Sequence, residues 1–240
     1  TTVREIKILK LLNHENIVPL LDIVNEREKD NISDLKTFLV FPYMDHDLCG
    51  LLKNPGLEIT DSLIKLYTLQ LLEGVAYMHH NNIVHRDLKS ANILLNNSGR
   101  LQIADFGLAR AVPQGFLYGC DDDIFMTNMV VTRWYRAPEL FMGETQYGFE
   151  VDIWSVGCIL SEMWTRRVLF MGRSDPDQLK LIFDLCGTPD QSYFRYESVL
   201  KQKEVINDNQ AADVRKVIPV TEISTPVRKR VLREDTRYHQ

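Results

Sequence analysis

The chain has 240 residues, 45% of them hydrophobic and 25% charged, which is ordinary globular usage with enough apolar material for a sizeable core. A formal net charge of −5 and a pI of about 5.7 argue against nucleic-acid binding by bulk charge. No apolar run reaches the roughly 18–20 residues of a membrane span. The four cysteines, Cys49, Cys120, Cys158 and Cys186, form no C-x-x-C pair, which argues against a zinc site or disulfide framework and fits a reducing compartment.

The first residues, TTVREIKILK, are charged and lack a signal-peptide core. They begin without Met, so further chain is expected upstream. TTVREIKILKLL is predicted to be a helix, with Val3, Ile6, Ile8, Leu9, Leu11 and Leu12 covering most of its circumference. Two readings stand: a core helix, or a helix with its own body on one side and a partner protein on the other. NIVPLLDIV and KTFLVFPYM suit short buried strands, separated by the polar loop NEREKDNISD. Thr60, Asp61 and Ser62 are N-cap types that open a long helix, and Leu63, Tyr67, Leu71, Val75 and Met78 recur along it at helical spacing. Asn81 and Asn82 mark its stop. NILL and LQIA read as two strands of a hairpin closed by NNSG. VDIWSVGCILSEMW is a second helix, interrupted only by Asp152, Ser155, Ser161 and Glu162, and is expected at the centre of the core. After CGTPD (186–190) the chain turns polar, and its last residues look like a solvated tail. The order of elements predicts an α+β arrangement dominated by helices.

HRDLKSAN (85–92) concentrates chemistry. It reads either as a charged, solvated turn or as a phosphoryl-transfer loop. In the second reading Asp87 orients a hydroxyl nucleophile and accepts its proton. Lys89 steadies the transferring phosphate, and Asn92 holds a metal ion. The hairpin then returns ADFG (104–107) beside this loop, with Asp105 as the main Mg²⁺ ligand and Gly107 supplying backbone freedom. Phosphoryl transfer rests on positioning and charge neutralisation, for which one base, one cation and two metal-binding side chains suffice.

HRDLKSAN, DFG and APE (137–139) stand in the order and spacing of the protein kinases, and the chain resembles that family over residues 1–190. TTVREIKILKLLNHENIVPLLDI, VVTRWYRAPEL and DIWSVGCILSEM resemble the cyclin-dependent kinases. FPYMDHDLCGLL, NILLNNSG and VVTRWYRAPE look most like the transcriptional branch, the Bur-type and elongation-factor kinases. The resemblance implies an incomplete protein-kinase-like α+β fold. Part of the N-lobe, with the cyclin-binding helix, two to three strands and the hinge, would occupy 1–45. A mainly helical C-lobe lacking its last helices would occupy 46–190, and a divergent polar tail 191–240. It implies a serine/threonine kinase using ATP and Mg²⁺, with a cyclin partner and Ser/Thr-Pro substrate sites, which in that branch lie in the RNA polymerase II C-terminal repeats and elongation factors. It further implies a nuclear location, and neither direct nucleic-acid nor membrane binding.

Residue by residue, the resemblance makes Asp87 the base, places Lys89 and Thr132 in the catalytic set, and gives Mg²⁺ to Asn92 and Asp105. Glu5 pairs with the ATP-binding lysine. Phe41 lies at the back of the adenine pocket, and Met44 offers backbone groups to adenine. Pro42, where relatives often carry Glu, keeps the carbonyl and loses only its N–H. Asp47, Leu94 and Ala104 complete the nucleotide site. Thr127 is the activating phosphosite if it is not an ordinary exposed threonine, and Arg4, Arg86 and Arg110 clasp its phosphate. Asp152 braces the catalytic loop, and Glu139 of APE is structural. Arg133 is either a contact to acidic substrate or a surface arginine without a role.

The 12 glycines form no G-x-G-x-x-G, and no lysine precedes Glu5, so the phosphate-covering loop and the ATP-orienting lysine are not in this sequence. Residues 191–240 lack the pattern of the helices expected there, which leaves Glu139 without its usual arginine. Two readings follow. The chain is a stretch of an active cyclin-dependent kinase, or it is a catalytically incompetent fragment or pseudokinase that serves as a cyclin-binding module. In isolation it is expected to bind Mg-ATP weakly.

Overall fold

The computed structural model describes residues 2–27, 35–112, 132–145 and 147–188. These residues fall into two compact units, one built from residues 2–27, 35–112, 132–136 and 147–169, the other from 137–145 and 170–188.

The first unit opens with α1 (Thr2–Leu11), which buries Ile8 and Leu9 and leaves Val3 and Leu11 exposed at 68% and 70%. Its apolar residues thus point both inward and outward, which is not the packing of a helix buried on all sides. Strands β1 (Asp22–Arg27) and β2 (Leu35–Val40) pair antiparallel, with Val24 opposite Phe38. The strand starts later than the apolar run NIVPLLDIV suggested and takes in Asn25–Arg27, which composition had given to a loop. The reason is that Ile17 and Val18 instead join the residue 101–103 strand through an isolated parallel bridge, and are buried at 1% and 3%. Tertiary packing overrides the run of hydrophobicity here.

A short strand, β3 (His46–Asp47), leads directly into α2 (Leu48–Lys53), whose N-cap is the Asp47 carboxylate accepting from Gly50 N at 2.8 Å. The long helix α3 (Asp61–His80) is capped by Thr60, which accepts from Leu63 N. Asp61 in its first turn and His79 and His80 in its last suit the helix dipole. Ile64, Tyr67, Leu71, Val75 and Met78 form its buried stripe. Gly74 in the same stripe has a packing reason. A Cβ there would lie 2.9 Å from Ile103 Cδ1 and 3.0 Å from the Asn16 carbonyl oxygen.

Strand β4 (Ile83–Val84) pairs with β7 (Arg110–Ala111), and β5 (Ile93–Leu95) pairs with both β3 and β6 (Leu101–Ile103). The β5–β6 turn is closed by Asn96. Its Oδ1 accepts from Ser98 N, Ser98 Oγ and Arg100 N, while Gly99 takes φ +80°. Helix α4 (Pro138–Phe141) belongs to the second unit, and α5 (Glu150–Thr165) to the first. Helix α5 buries its polar Asp152, Ser155 and Glu162 together with Val151, Val156, Ile159 and Met163. Ile153 and Trp164 lie on an exposed face. Arg166 ends the helix in the left-handed region and donates to the carbonyls of Asn54 and Leu57.

In the second unit α4 packs on α6 (Asp175–Cys186) through Met142, Leu179, Phe141 and Phe183. Gln178 Oε1 accepts from Gly172 N at 2.7 Å. Glu139 is buried at 8% exposure and is not without a partner. A lone buried carboxylate would cost several kcal/mol. The polar tail from residue 191 and Thr127 lie outside the described residues.

Candidate active site

The HRDLKSAN segment is an irregular turn between β4 and β5, and α5 holds its backbone. The Asp152 carboxylate accepts from His85 N at 2.8 Å and from Arg86 N at 2.9 Å, and also meets His79 Nε2 at 2.9 Å. A buried acid in an apolar helix is satisfied here by backbone donors that would otherwise be orphaned. Arg86 sits at φ +67°, a conformation that non-glycine residues rarely adopt. Its Nε donates to Leu108 O at 2.8 Å and its Nη1 to the Tyr147 hydroxyl at 3.1 Å.

His85 is fully enclosed. Asp87 N donates to its Nδ1 at 3.2 Å, so Nε2 carries the proton and donates to Ala104 O at 3.0 Å. The ring meets Phe106 edge-on at 4.9 Å. Burial pushes the imidazole below its ordinary pKa, against the opposing pull of Asp152.

Asp87 is a hub. Its Oδ2 accepts from Lys89 Nζ at 2.7 Å and from Asn92 Nδ2 at 3.3 Å, and its Oδ1 accepts from Thr132 N at 3.1 Å and Thr132 Oγ1 at 3.3 Å. Asn92 Nδ2 also faces Asp87 O and Asp105 Oδ2. Asn92 therefore commits its amide protons to this cluster, and no hydrogen bond is made to its Oδ1 among the described residues. Asp105 stands at φ +64° and caps the 3₁₀ turn Phe106–Leu108 by accepting from Gly107 N. Two non-glycine residues in the left-handed region flank one cluster, a pattern that concentrates at functional sites.

The donor set fits magnesium. That ion prefers oxygen ligands, takes one or two from protein carboxylates and fills the rest with phosphate and water. Asp105 supplies a carboxylate and Asn92 an amide oxygen. Among the described residues no group of three His, Cys, Asp or Glu side chains is placed to hold a metal.

Helix α1 packs against the Phe106–Leu108 turn and β7. This brings Glu5 to the cluster, where a Cβ on Gly107 would lie 3.9 Å from Glu5 Oε2. Burial, then the charge of Asp105, raises the Glu5 carboxyl above its ordinary pKa. Phe41, Pro42, Met44, Asp47 and Leu94 line an open cavity of about 460 Å³, with Tyr43 at its mouth, 86% exposed. Glu5 and Ala104 are not on that lining. Arg86 donates to the Tyr147 hydroxyl, whose pKa burial raises against the opposing charges of Arg86 and Arg110, and α1, which carries Arg4, packs on the strand of Arg110.

Sequence reasoning passed over two groups. Asn97 of the β5–β6 turn donates through its backbone N to Asp45 Oδ2 at 2.8 Å and meets His46 Nε2 at 3.2 Å, bracing the cavity wall. Ser90, Tyr135 and Glu162 form a buried polar cluster with separations of 2.7–3.1 Å. The signal for the second was present. Glu162 follows Asp152 by ten residues, nearly three helical turns, which sets both acids on the inward face of one helix.

The profile of the protein kinase domain matches residues 1–220. This chain belongs to the protein kinase family. Its small-lobe helix and strands and its mainly helical large lobe are parts of that domain. Cyclin-dependent kinase C-1 of Oryza sativa subsp. japonica is 46% identical over 202 residues, which is 80% of this chain and 38% of the relative. Probable cyclin-dependent kinase 9 of Schizosaccharomyces pombe is 48% identical over 199 residues, covering 80% and 34%. Serine/threonine-protein kinase bur1 of Neurospora crassa is 48% identical over 197 residues, covering 80% and 35%. The kinase chain thus spans little more than a third of the length of these relatives.

Proposed function

We propose that this chain is the catalytic portion of a cyclin-dependent serine/threonine protein kinase. It transfers the γ-phosphate of ATP to Ser/Thr-Pro sites, binds a cyclin through α1, and acts in the nucleus on the transcription machinery, with RNA polymerase II C-terminal repeats as substrate. The likeness to kinases named cyclin-dependent kinase 9 and bur1 supports the transcriptional role. The observation that carries the reaction is the hub at Asp87, which reaches a cation, an amide and the Thr132 segment at once.

In this reading Asp87 accepts the proton of the substrate hydroxyl as its oxygen bonds to the γ-phosphorus, and the bond to the β-phosphate oxygen breaks to release ADP. Lys89, 2.7 Å from Asp87, is within reach of the transferring phosphate and offsets its charge. Asp105 and Asn92 would hold Mg²⁺, which when bound neutralises charge on the phosphates. Thr132 fixes the unused carboxylate oxygen and thereby the direction of the reacting one. The cavity beside Met44 receives adenine, with Asp47 at the ribose end and Leu94 as floor. Arg4, Arg86 and Arg110 receive the phosphate of Thr127.

The test is a kinase assay on the full-length protein with its cyclin and a polymerase C-terminal repeat peptide. Asp87→Asn is expected to lower kcat by about 10²–10⁴-fold while the unfolding temperature stays near wild type. An Asp87→Asn enzyme with undiminished kcat would sink the assignment.

A further inference from the structure

Two segments far apart in sequence lie side by side at the catalytic loop, joined in register. Thr132 is bonded to Asp87, and three residues on, Tyr135 meets Ser90. The 3₁₀ turn Arg133–Tyr135 is thus stapled to the loop at both ends. The first staple uses the proposed base. The second involves no residue assigned to the reaction.

The second staple is a built polar site. Ser90, Tyr135 and Glu162 are 1%, 5% and 5% exposed. Ser90 Oγ donates to Glu162 Oε1 at 3.1 Å, Tyr135 OH donates to Glu162 Oε2 at 2.7 Å, and the two hydroxyl oxygens lie 3.0 Å apart. Each hydroxyl has one proton, so with the carboxylate ionised two protons serve three short oxygen–oxygen distances. Such a cluster is satisfied only while all three groups hold their places, and its removal from water makes a lost member costly. Both sides are also tied to α5, the loop through Asp152, which accepts from the backbone of His85 and Arg86. Tyr135 is pinned twice by α5, through Glu162 and through Ser155 Oγ, which donates to the Tyr135 carbonyl at 2.9 Å. Ser90 begins the 3₁₀ turn Ser90–Asn92, whose last residue is the proposed metal ligand. Its side chain is the direct link from that turn to the pinned segment.

We infer that Ser90 is a positioning residue. Through Tyr135 and Glu162 it sets the Thr132–Arg136 segment against the catalytic loop, and so fixes where the protein substrate lies relative to Asp87. This rests on the proposed kinase function. The nucleotide cavity is lined from the Phe41–Asp47 stretch and Leu94, on neither of the stapled segments. Asn92 at the end of the Ser90 turn keeps its own bonds to Asp87 O and Asp105 Oδ2, so loss of the staple acts on peptide binding and leaves ATP binding alone.

The experiment is a double-mutant cycle in the full-length kinase with its cyclin, using Ser90→Ala, Tyr135→Phe and the double variant. Hydrogen–deuterium exchange is read on the amides of residues 132–136. In Ser90→Ala the KM for peptide is expected to rise roughly three- to tenfold, the size of one net hydrogen bond, with KM for ATP unchanged. The double variant is expected to be no worse than the worse single one. The Thr132, Tyr135 and Arg136 amides, all hydrogen-bonded, are expected to exchange faster in Ser90→Ala. An unchanged peptide KM, equal changes in both KM values, effects that multiply, or a lowered unfolding temperature alone would overturn the inference. If wild-type protein transfers no phosphate, the functional proposal itself fails. The exchange rates then decide on the staple alone, with unchanged rates at 132–136 refuting it.

Discussion

His85 uses both ring nitrogens, one accepting from Asp87 N and the other donating to Ala104 O. A second proton would have to go to Nδ1 and would break the bond that orients Asp87. Burial accordingly holds the imidazole below its ordinary value of 6.5. The unfolded chain takes up a proton near pH 6.5 that the folded chain refuses. Stability from the neutral ring is therefore fully present above that pH and declines as pH falls towards the lowered folded value. Melting temperatures taken between about pH 7.5 and pH 5.5 are expected to fall, and to fall less in His85→Gln. An equal pH slope in the two proteins would refute the role. None of this could be read from HRD as letters. The motif names His85, but its tautomer depends on a carbonyl 19 residues away.

Among the elements, α3 and α5 were the most legible, because long periodic apolar stripes and caps are local signals. The short pieces β3, β4, β7 and α2 were not legible, since segments of two to six residues have no period of their own and exist because neighbours complete their hydrogen bonds. Gly74 tests how tightly α3 is packed. Alanine has the better helix propensity by about 1 kcal/mol. The new methyl, however, meets the Asn16 carbonyl, whose own bond to Ile103 N at 2.9 Å joins the segment after α1 to β6. Overpacking of this kind costs about 1–3 kcal/mol, so Gly74→Ala is expected to lower stability. A lower urea midpoint with an unchanged slope checks it, and an unchanged or higher midpoint would show that α3 can shift.

Over the whole molecule, α1, the catalytic loop and β7 carry Arg4, Arg86 and Arg110, the arginines proposed to meet the phosphate of Thr127; Arg86 donates to the Tyr147 hydroxyl, and α1 packs on β7. A phosphate on Thr127 brings about 1.5–2 negative charges to these arginines and makes roughly 1–3 charge-assisted hydrogen bonds. If that is what orders the site, Thr127→Ala is expected to lower kinase activity of the cyclin complex by at least about tenfold, the equivalent of one such bond. Dephosphorylating the wild-type complex is expected to match it. A Thr127→Ala complex at full activity would remove Thr127 from the mechanism.

Family, candidate base and candidate metal ligands were written in the sequence alone, because Asp87, Lys89, Asn92 and Asp105 sit on a loop and a hairpin where spacing along the chain nearly sets spacing in space. Of the acids of α5, Asp152 was expected from the resemblance to brace the catalytic loop, and Glu162 was legible only as an anomaly. Which donors the two acids take was decided by the tertiary structure. Asp152 closes on the backbone of residues 85 and 86, and Glu162 gathers hydroxyls from residues 90 and 135. The physical reason is burial. A carboxylate shut away from water must find donors wherever the fold brings them, and across 27 to 72 residues of chain only packing chooses which those are.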